Sequence, residues 1–188
     1  MDSLTLTLPD DWHIHLRDGP ALSTTVPDIA RWARRAIVMP NLAPPVLNAA
    51  DAMAYRNRIL VEVPAGIDFE PLMTLYLTDD TTPSMIAEAA ACPSVHGVKL
   101  YPAGATTNSE AGITGLRALY PVIEAMETHD LPLLVHGEVT SPDIDIFDRE
   151  AVFLEQVLAP TLRDFPELKV VLEHITTEDS VQFVQEAG

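Results

Sequence analysis

The chain has 188 residues, of which 47% are apolar and 21% charged, a composition typical of a globular domain. Its 28 acidic and 11 basic residues give a formal charge of −17, which argues against nucleic acid and anionic membranes as partners, because both bind basic surfaces. Cys92 is the single cysteine, and the sequence shows neither an apolar signal-peptide core nor an apolar run of 18 residues. We therefore expect a cytoplasmic protein without disulfides or membrane spans.

Short apolar runs alternate with longer segments of helical spacing along the chain. The runs are almost continuously apolar, which is typical of strands buried on both faces of a parallel sheet. The predicted strands cover residues 12–16, 36–39, 72–78, 95–101, 131–136 and 168–175. The predicted helices cover residues 25–35, 49–60, 84–91, 114–129, 148–162 and 180–187.

Proline and asparagine mark three of the predicted helix starts. Pro27 is placed in the first turn of its helix, Asn48 is a predicted N-cap, and Pro83 precedes the third helix. Residues 4–8 (LTLTL) alternate between apolar and polar side chains, which predicts an extra strand before the first unit.

The alternation amounts to six β/α units of about 31 residues, the usual size of such a repeat. Two architectures fit this pattern: a doubly wound open sheet and part of a (β/α)₈ barrel. A glycine-rich phosphate-binding motif follows none of the strands, which weakens the nucleotide-binding open sheet. A complete barrel needs eight units and roughly 250 residues. The sequence contains no segment with the composition of an interdomain linker. Because six units are fewer than eight, we expect residues 1–188 to be a single barrel-type domain that is incomplete on its C-terminal side.

The strongest local motif is DWHIHLRDG, which begins at Asp11. Side chains on a strand alternate between its two faces, so His13 and His15 point the same way and Ile14 points the other way. Two imidazoles on one face of a strand end can supply two ligands of a metal site. An HxH pair alone is a weak signal, because two ordinary strand-end histidines have the same spacing.

Other polar residues occupy the carboxyl ends of the later strands. Asn41 follows the second strand, Lys99 lies in the fourth, His136 ends the fifth and His174 ends the sixth. In barrels and in open parallel sheets alike, the active site lies at the carboxyl ends of the strands. The sequence therefore predicts that these side chains converge with the HxH pair.

Lys99 lies inside an apolar run, where an ammonium group is costly unless it is paired or neutralised. One interpretation is a lysine that reaches the rim or meets a carboxylate. The other is a desolvated amine, which has a lowered pKa and can add carbon dioxide to form a carbamate. Such an anion could bridge two metal ions, a role that neutral imidazoles cannot fill.

Five motifs together resemble the dihydroorotases of class II, the homodimeric kind within the amidohydrolase superfamily. They stand in the family's order and at its spacing, from about Trp12 to Thr177, and are DDWHIHLRDG, IVMPN, GVKLYPAGATTN, LVHGE and LEHITT. HxH occurs in many amidohydrolases, whereas the five motifs together are specific. The resemblance implies a (β/α)₈ barrel, of which about six units are present, and a homodimer at full length.

The resemblance also implies a centre of two Zn²⁺ ions. His13 and His15 would hold the more buried ion, His136 and His174 the other, and a carboxylated Lys99 would bridge both and take part in catalysis.

The same resemblance implies residues that bind a small anionic substrate. Arg17 and Asn41 match the positions that grip the substrate carboxylate, and Thr106 and Thr107 match a mobile loop that closes over the substrate.

The implied reaction interconverts N-carbamoyl-L-aspartate and L-dihydroorotate in de novo pyrimidine biosynthesis, with a hydroxide bridged by the two metals as nucleophile. The family's general-base aspartate lies on the eighth strand, beyond Gly188. We therefore expect the chain to correspond to the N-terminal three-quarters of a barrel and to have at most trace activity alone.

Two alternatives remain at this point. Another cyclic-amide hydrolase, such as a hydantoinase or an allantoinase, would use similar chemistry, although Arg17 and Asn41 suit a carboxylate that a hydantoin lacks. A non-catalytic barrel homologue acting as a scaffold is the second alternative. Glu138 and Glu173 flank two of the histidines, and strand alternation predicts that Glu173 faces the helices rather than the site.

Overall fold

The computed structural model describes residues 4–187. Six parallel strands form one sheet in sequence order, each hydrogen-bonded to the next. The strands are β1 (Asp10–Ile14), β2 (Arg35–Val38), β3 (Glu70–Leu77), β4 (Val95–Leu100), β5 (Leu133–Val135) and β6 (Val170–Leu172). The helices are α1 (Leu22–Ala30), α2 (Ala49–Val61), α3 (Pro83–Ala90), α4 (Tyr120–Thr128), α5 (Arg149–Phe153), α6 (Ala159–Asp164) and α7 (Glu178–Glu186).

The strand order identifies the architecture. A doubly wound open sheet reverses its strand order at a switch point, whereas here every strand pairs with its neighbour in sequence. The sheet also curls, since the ring of His13, near the end of the first strand, lies 5.2 Å from that of His174, which follows the last strand. The predicted barrel architecture is confirmed, with six of the eight units of a (β/α)₈ barrel among residues 4–187.

The core lies between the sheet and the helices that cover its outer face. β3 has only its first residue, Glu70, exposed, and Leu75, Leu77, Val98 and Leu100 on β3 and β4 are at most 1% exposed. Each such side chain contributes about 1.5–3 kcal/mol when it is fully buried. The central strands therefore form a rigid base for the residues at their carboxyl ends.

Two helix starts follow from side-chain capping. The side chain of Asn48 accepts a hydrogen bond from the backbone N–H of Asp51, as predicted for an N-cap. Thr82 accepts from the N–H of Met85, so α3 begins at Pro83. Each cap stabilises its helix by about 1 kcal/mol.

The prediction for the first helix was wrong at both ends. A 3₁₀ turn (Gly19–Ala21), capped by the side chain of Asp18, leads directly into α1 at Leu22. Burial of Leu22 and Val26 against the core explains the early start. Pro27 thus lies inside the helix instead of in its first turn, where it removes one backbone hydrogen bond.

The extra strand predicted over residues 4–8 is absent: these residues have no regular secondary structure. Leu4, Leu6 and Leu8 are 82%, 76% and 49% exposed. An alternating segment becomes a strand only where another strand offers hydrogen bonds, and β1 is an edge strand in the part of the chain that the structure describes.

Two later helices differ from their predicted forms because of proline. The segment predicted as one helix over 114–129 begins as a 3₁₀ turn (Leu116–Leu119), and α4 starts at Tyr120 with Pro121 in its first turn. The segment over 148–162 is helical from 149 to 164, with a π-helical stretch (Leu154–Leu158) between α5 and α6. Pro160 follows that stretch and cannot donate the next α-helical hydrogen bond. None of the helices within residues 4–187 has the length and apolar character needed to cross a membrane.

Candidate active site

The predicted convergence occurs in the structure. His13 lies 5.0 Å from His15 and 5.2 Å from His174, and His136 lies 4.7 Å from His174, measured between ring centroids. The ammonium of Lys99 contacts one carboxylate oxygen of Glu173, and the other oxygen of Glu173 is 3.0 Å from Nδ1 of His13. We call these four histidines and Lys99 the histidine–lysine patch. It lies at the carboxyl ends of β1, β4, β5 and β6.

The HxH pair is aimed as a metal site requires. Nε2 of His13 lies 3.2 Å from Nε2 of His15. Two nitrogens bound to one zinc ion at a tetrahedral angle, each 2.0–2.1 Å from it, lie about 3.3 Å apart. Nδ1 of His15 lies 2.8 Å from Oδ1 of Asn41, which can only accept a hydrogen bond, so Nδ1 carries the proton and Nε2 presents its lone pair.

Partial desolvation and nearby positive charges keep two of the histidines neutral. Burial lowers the pKa of His15 to about 4, with further contributions from the nearby charges of His13 and Arg17. His174 is exposed as a whole residue, but its ring packs against those of His13 and His136, and the resulting partial desolvation, together with the charge of Lys99, lowers the pKa of His174 to about 4. Neutral imidazole is the form that binds metal ions, so both side chains are ready to act as ligands at pH 7.

Glu173 is part of the site, and the prediction that it faces the helices was wrong. β6 ends at Leu172, and His174 has a left-handed backbone with φ of +37°, so strand alternation no longer applies at these residues. Glu173 is only 8% exposed, and its carboxylate contacts Lys99 and His13. Burial by itself would raise the pKa of Glu173, but His13 and Lys99 hold it below its ordinary value.

Lys99 is fully buried, and this burial lowers its pKa despite the opposing charge of Glu173. Nζ of Lys99 also lies 4.9 Å from the ring centre of Tyr101. The hydroxyl of Tyr101 is buried and has no hydrogen-bond partner among residues 4–187. The sequence analysis did not predict a role for Tyr101. The available signal was its position two residues after Lys99, because side chains two residues apart along a strand point to the same face.

The donor set fits a divalent transition-metal ion. His13, Glu173 and His174 bring one possible ligand atom each to within 4.8 Å of one another. Nδ1 of His13 is buried without an aligned hydrogen-bond partner in the described chain, although Oε1 of Glu173 is only 3.0 Å away. Imidazole nitrogens with a carboxylate are ligands that suit zinc and its neighbours.

His136 is held differently from the HxH pair. Its Nε2 lies 2.6 Å from Oε1 of Glu138, whose other oxygen is 3.8 Å from the guanidinium of Arg149. Because a carboxylate oxygen accepts, Nε2 donates and the remaining nitrogen, Nδ1, is left for a metal. Glu138 therefore determines which ring nitrogen of His136 can bind a metal.

Asn41 connects the patch to the loop that follows β4. It is 2% exposed, and its Nδ2 donates to the backbone carbonyl of Thr107 at 2.9 Å. The backbone carbonyl of Asn41 accepts from Nδ2 of Asn108 at 3.1 Å. The loop closes on itself where Oγ of Ser109 accepts from the N–H of Thr106 at 2.8 Å. The amide predicted to bind substrate thus also holds the loop against the site.

The other predicted substrate-binding residues lie at the rim. Arg17 follows β1, is exposed and has a left-handed backbone with φ of +63°. Its carbonyl accepts a hydrogen bond from the hydroxyl of Tyr55. Thr106 and Thr107 are also exposed, and the contact of this pair with the site runs through the backbone of Thr107.

A cleft of about 440 Å³ opens beside His136 and His174. Glu138, Arg149 and Thr177 are among its other lining residues. Its volume falls within the range of small-molecule sites. The histidine–lysine patch is therefore reachable by a small substrate from this side.

The chain is similar over almost its whole length to dihydroorotases. It is 67% identical to the dihydroorotase of Cupriavidus taiwanensis over 185 residues, which are 98% of this chain and 54% of that protein. It is 64% identical to the dihydroorotase of Idiomarina loihiensis over 188 residues, or 100% of this chain and 55% of that protein. The predicted resemblance is confirmed, and the chain spans about half the length of these curated relatives.

Solved structures agree with this similarity. The crystal structure of dihydroorotase from Campylobacter jejuni matches with a TM-score of 0.86 and 39% identity, covering 95% of this chain and 51% of that one. An L-hydantoinase from Arthrobacter aurescens matches with a TM-score of 0.70 over 96% of this chain and 44% of that one, but with 13% identity, which shows a shared fold alone.

A family model extends the comparison to nearly all described residues. The model of the amidohydrolase family matches residues 10–184, which include every member of the histidine–lysine patch. The chain therefore belongs to the amidohydrolase family.

Proposed function

We propose that this chain supplies the metal-binding and carboxylate-binding part of a dihydroorotase. The observation that carries the proposal is the convergence of His13, His15, Lys99, His136 and His174 at the carboxyl ends of four strands. Identity of 67% with a dihydroorotase supports the same reaction over the other cyclic amides.

We propose that the patch holds two Zn²⁺ ions. His13 and His15 would hold one ion, with their Nε2 atoms already facing each other at 3.2 Å, and His136 and His174 would hold the other. A carboxylated Lys99 would supply the anionic ligand that the neutral imidazoles lack, and the lowered pKa of Lys99 supports carbamate formation because only the free amine adds carbon dioxide. Bound divalent ions supply a lowered pKa for water and polarise a carbonyl oxygen.

We propose that Arg17 and Asn41 bind the carboxylate of a small anionic substrate. Arg17 is exposed at the rim, and its charge is near enough to lower the pKa of His15. Its attraction acts locally, because charges beyond about 8 Å are screened at physiological salt. A bidentate contact with Arg17 therefore outweighs the diffuse repulsion of a chain with a charge of −17.

The residues of the chain then position the substrate for hydrolysis of the ring amide. In the ring-opening direction water adds oxygen to the ring carbonyl carbon, the carbon–nitrogen bond breaks, and the nitrogen takes a proton. Arg17 and Asn41 hold the carboxylate, and Thr106 and Thr107 close the loop over it and exclude bulk solvent, apart from the reacting water. Since Asn41 already binds the carbonyl of Thr107, one amide links substrate binding to loop position.

We further propose that residues 1–188 belong to a single barrel domain, incomplete on its C-terminal side, in a cytoplasmic homodimer without nucleic-acid partners. The six sequential parallel strands support the incomplete barrel, the acidic composition supports the lack of nucleic-acid partners, and the homodimer and the cytoplasmic location rest on the similarity to dihydroorotases. Since the general-base aspartate of dihydroorotases lies on the eighth strand, we expect at most trace activity from residues 1–188 alone.

A chimaera tests the proposed function. Residues 1–188 are joined to the part of the Cupriavidus taiwanensis dihydroorotase that they do not cover. Ring opening of L-dihydroorotate and of hydantoin is measured alongside zinc content. We expect turnover of dihydroorotate, little turnover of hydantoin, and two zinc ions per chain.

His136→Ala in the same chimaera should abolish the activity, and Asp10→Asn, which lies at the opposite end of β1, should retain it. Hydantoin turnover without dihydroorotate turnover would support the hydantoinase alternative. A folded chimaera with less than one zinc per chain and no activity would support the scaffold.

A further inference from the structure

Glu173 is the shared partner of two members of the histidine–lysine patch. One carboxylate oxygen accepts a hydrogen bond from Nζ of Lys99, and the other lies 3.0 Å from Nδ1 of His13. The side chain is 5% exposed and that of Lys99 is fully buried. One carboxylate therefore joins residues that follow or lie in β1, β4 and β6.

The ring of His13 has few other constraints. Its Nε2 faces Nε2 of His15 at 3.2 Å, and its Nδ1 has no aligned hydrogen bond to another group in residues 4–187. The distance to Glu173 already suits a hydrogen bond, so a small rotation of the ring completes the alignment. Glu173 is thus the residue placed to set the orientation of His13.

A carboxylate at this place also selects the tautomer. A neutral imidazole carries one N–H, and an ionised carboxylate can only accept. With the proton on Nδ1, Nε2 presents a lone pair toward His15, whose own Nδ1 is tied to Asn41. Both Nε2 atoms then face one point, which is favourable only when a cation occupies it.

As a free ammonium, Lys99 holds the carboxylate in place; carboxylation of Lys99 would end this contact, so the role of Glu173 in the metal-bound site rests on its contact with His13. The ammonium of Lys99 contacts one oxygen of Glu173, which leaves the other oxygen directed at His13. The left-handed backbone of His174, with φ of +37°, turns Glu173 into the barrel at the point where β6 has ended. The arrangement is the carboxylate–histidine pairing by which metal-binding histidines are commonly oriented.

We propose that Glu173 is a positioning residue that fixes the ring and tautomer of His13 for metal binding. The proposal rests on the proposed function, because it requires His13 to be a metal ligand. It assigns Glu173 a task that is separate from those of the five members of the patch.

Zinc affinity of the 188-residue chain is the first test, measured by competition with a chromophoric chelator. Glu173→Gln should weaken the tighter binding step by about 10- to 100-fold, the usual effect of losing such a partner. Asp10→Asn is the matched control, since it also removes a carboxylate from an arginine-paired site but at the opposite end of β1. Its affinity should stay within about twofold of the unsubstituted chain.

Two readouts separate positioning from a general structural role. Glu173→Gln should change the visible absorption spectrum of bound Co²⁺, while Asp10→Asn should not. In a His13→Ala background, Glu173→Gln should lower the zinc affinity by less than about a further twofold. The effects of the two substitutions are not additive if Glu173 acts through His13. A full 10-fold or greater further loss would overturn the proposal.

The zinc-loaded chain gives a test that needs no variant of Glu173. Long-range ¹H–¹⁵N spectra of the histidine side chains, assigned with His13→Ala, should show the proton of His13 on Nδ1. A proton on Nε2 in the zinc-loaded chain would overturn the role of Glu173 alone, as would unchanged zinc affinity in Glu173→Gln. Failure of the unsubstituted chain to bind zinc would overturn the proposed metal centre, and the role of Glu173 with it.

Discussion

The two histidine pairs of the patch are built in different ways. His13 and His15 come from one strand end, and each Nδ1 faces an oxygen from another strand, so both Nε2 atoms meet at 3.2 Å. His136 and His174 come from two strands of three residues each, β5 and β6. Nε2 of His136 is engaged by Glu138, and His174 is exposed.

This difference means that one half of the proposed metal centre is assembled without a metal ion. The HxH pair is aimed by contacts within the curled sheet, and its geometry already matches a single zinc ion. The second pair depends on segments after short strands, including the stretch that Glu150 anchors by accepting hydrogen bonds from Thr176, Thr177 and Ser180. We therefore expect the first pair to bind metal tightly and the second to depend on its surroundings.

Removal of one ligand from each pair gives the largest expected effect. His15→Ala should weaken the tighter zinc-binding step of the chain by more than about 100-fold, beyond the loss caused by an outer partner. His174→Ala should weaken the same step by about tenfold or less, because that ligand belongs to the other pair. Titration of each variant with Zn²⁺ against a chelator measures both. Equal losses would show that the two pairs form one undivided site.

The support behind the HxH pair gives the next effect. Asn41→Ala removes the partner of Nδ1 of His15 and the bond to the carbonyl of Thr107. Zinc affinity should fall by about 10- to 100-fold, and amide hydrogen exchange should rise in the loop after β4. Asn57→Ala, an exposed asparagine on α2, is the control. If exchange rises while affinity is unchanged, Asn41 holds the loop but does not orient His15.

The sequence predicts the first pair better than its support. Strand alternation places His13 and His15 on one face, and continuous apolar runs locate all six strands, because both follow from local geometry. Glu173 could not be placed in this way. Its direction depends on β6 ending at Leu172 and on the left-handed backbone of His174, which are set by tertiary contacts.

Contacts across long sequence separations are the other part that the sequence leaves open. The bond of Asn41 to Thr107 spans 66 residues, and that of Lys99 to Glu173 spans 74. Motif order indicates that such residues share a site, but not which one partners which. Residues 4–8 show the opposite case. They have the alternating pattern of a strand, but among the described residues they do not pair with β1 or with any other strand.

Glu150 tests the support of the second pair through stability. Burial would raise the pKa of Glu150, but hydrogen bonds from Thr177, Ser180 and Thr176 lower it below the ordinary 4.5. A carboxylate with a lowered pKa stabilises the folded chain above about pH 4.5, and this stabilisation is lost as the pH falls through the folded-state value. Glu150→Gln should therefore cost about 1–2 kcal/mol at pH 7 and less at pH 4.

Urea unfolding followed by circular dichroism at the two pH values measures this change. Glu155→Gln, an exposed glutamate in the same helical segment, should differ from the unsubstituted chain by less than about 0.5 kcal/mol. A cost for Glu150→Gln that is independent of pH would contradict the assigned role of its charge.

Glu138 gives the smallest expected effect and decides how His136 faces the metal. Since Nε2 of His136 donates to Glu138 at 2.6 Å, Nδ1 carries the lone pair that can bind a metal, and Glu138 orients the ring through Nε2. Glu138 is only part-buried, so Glu138→Gln should weaken the second zinc-binding step by less than about tenfold, below the usual range. The tighter step should not change. Stronger zinc binding in this variant would show instead that Glu138 competes with the metal for Nε2, and that the second pair must rearrange before it can bind.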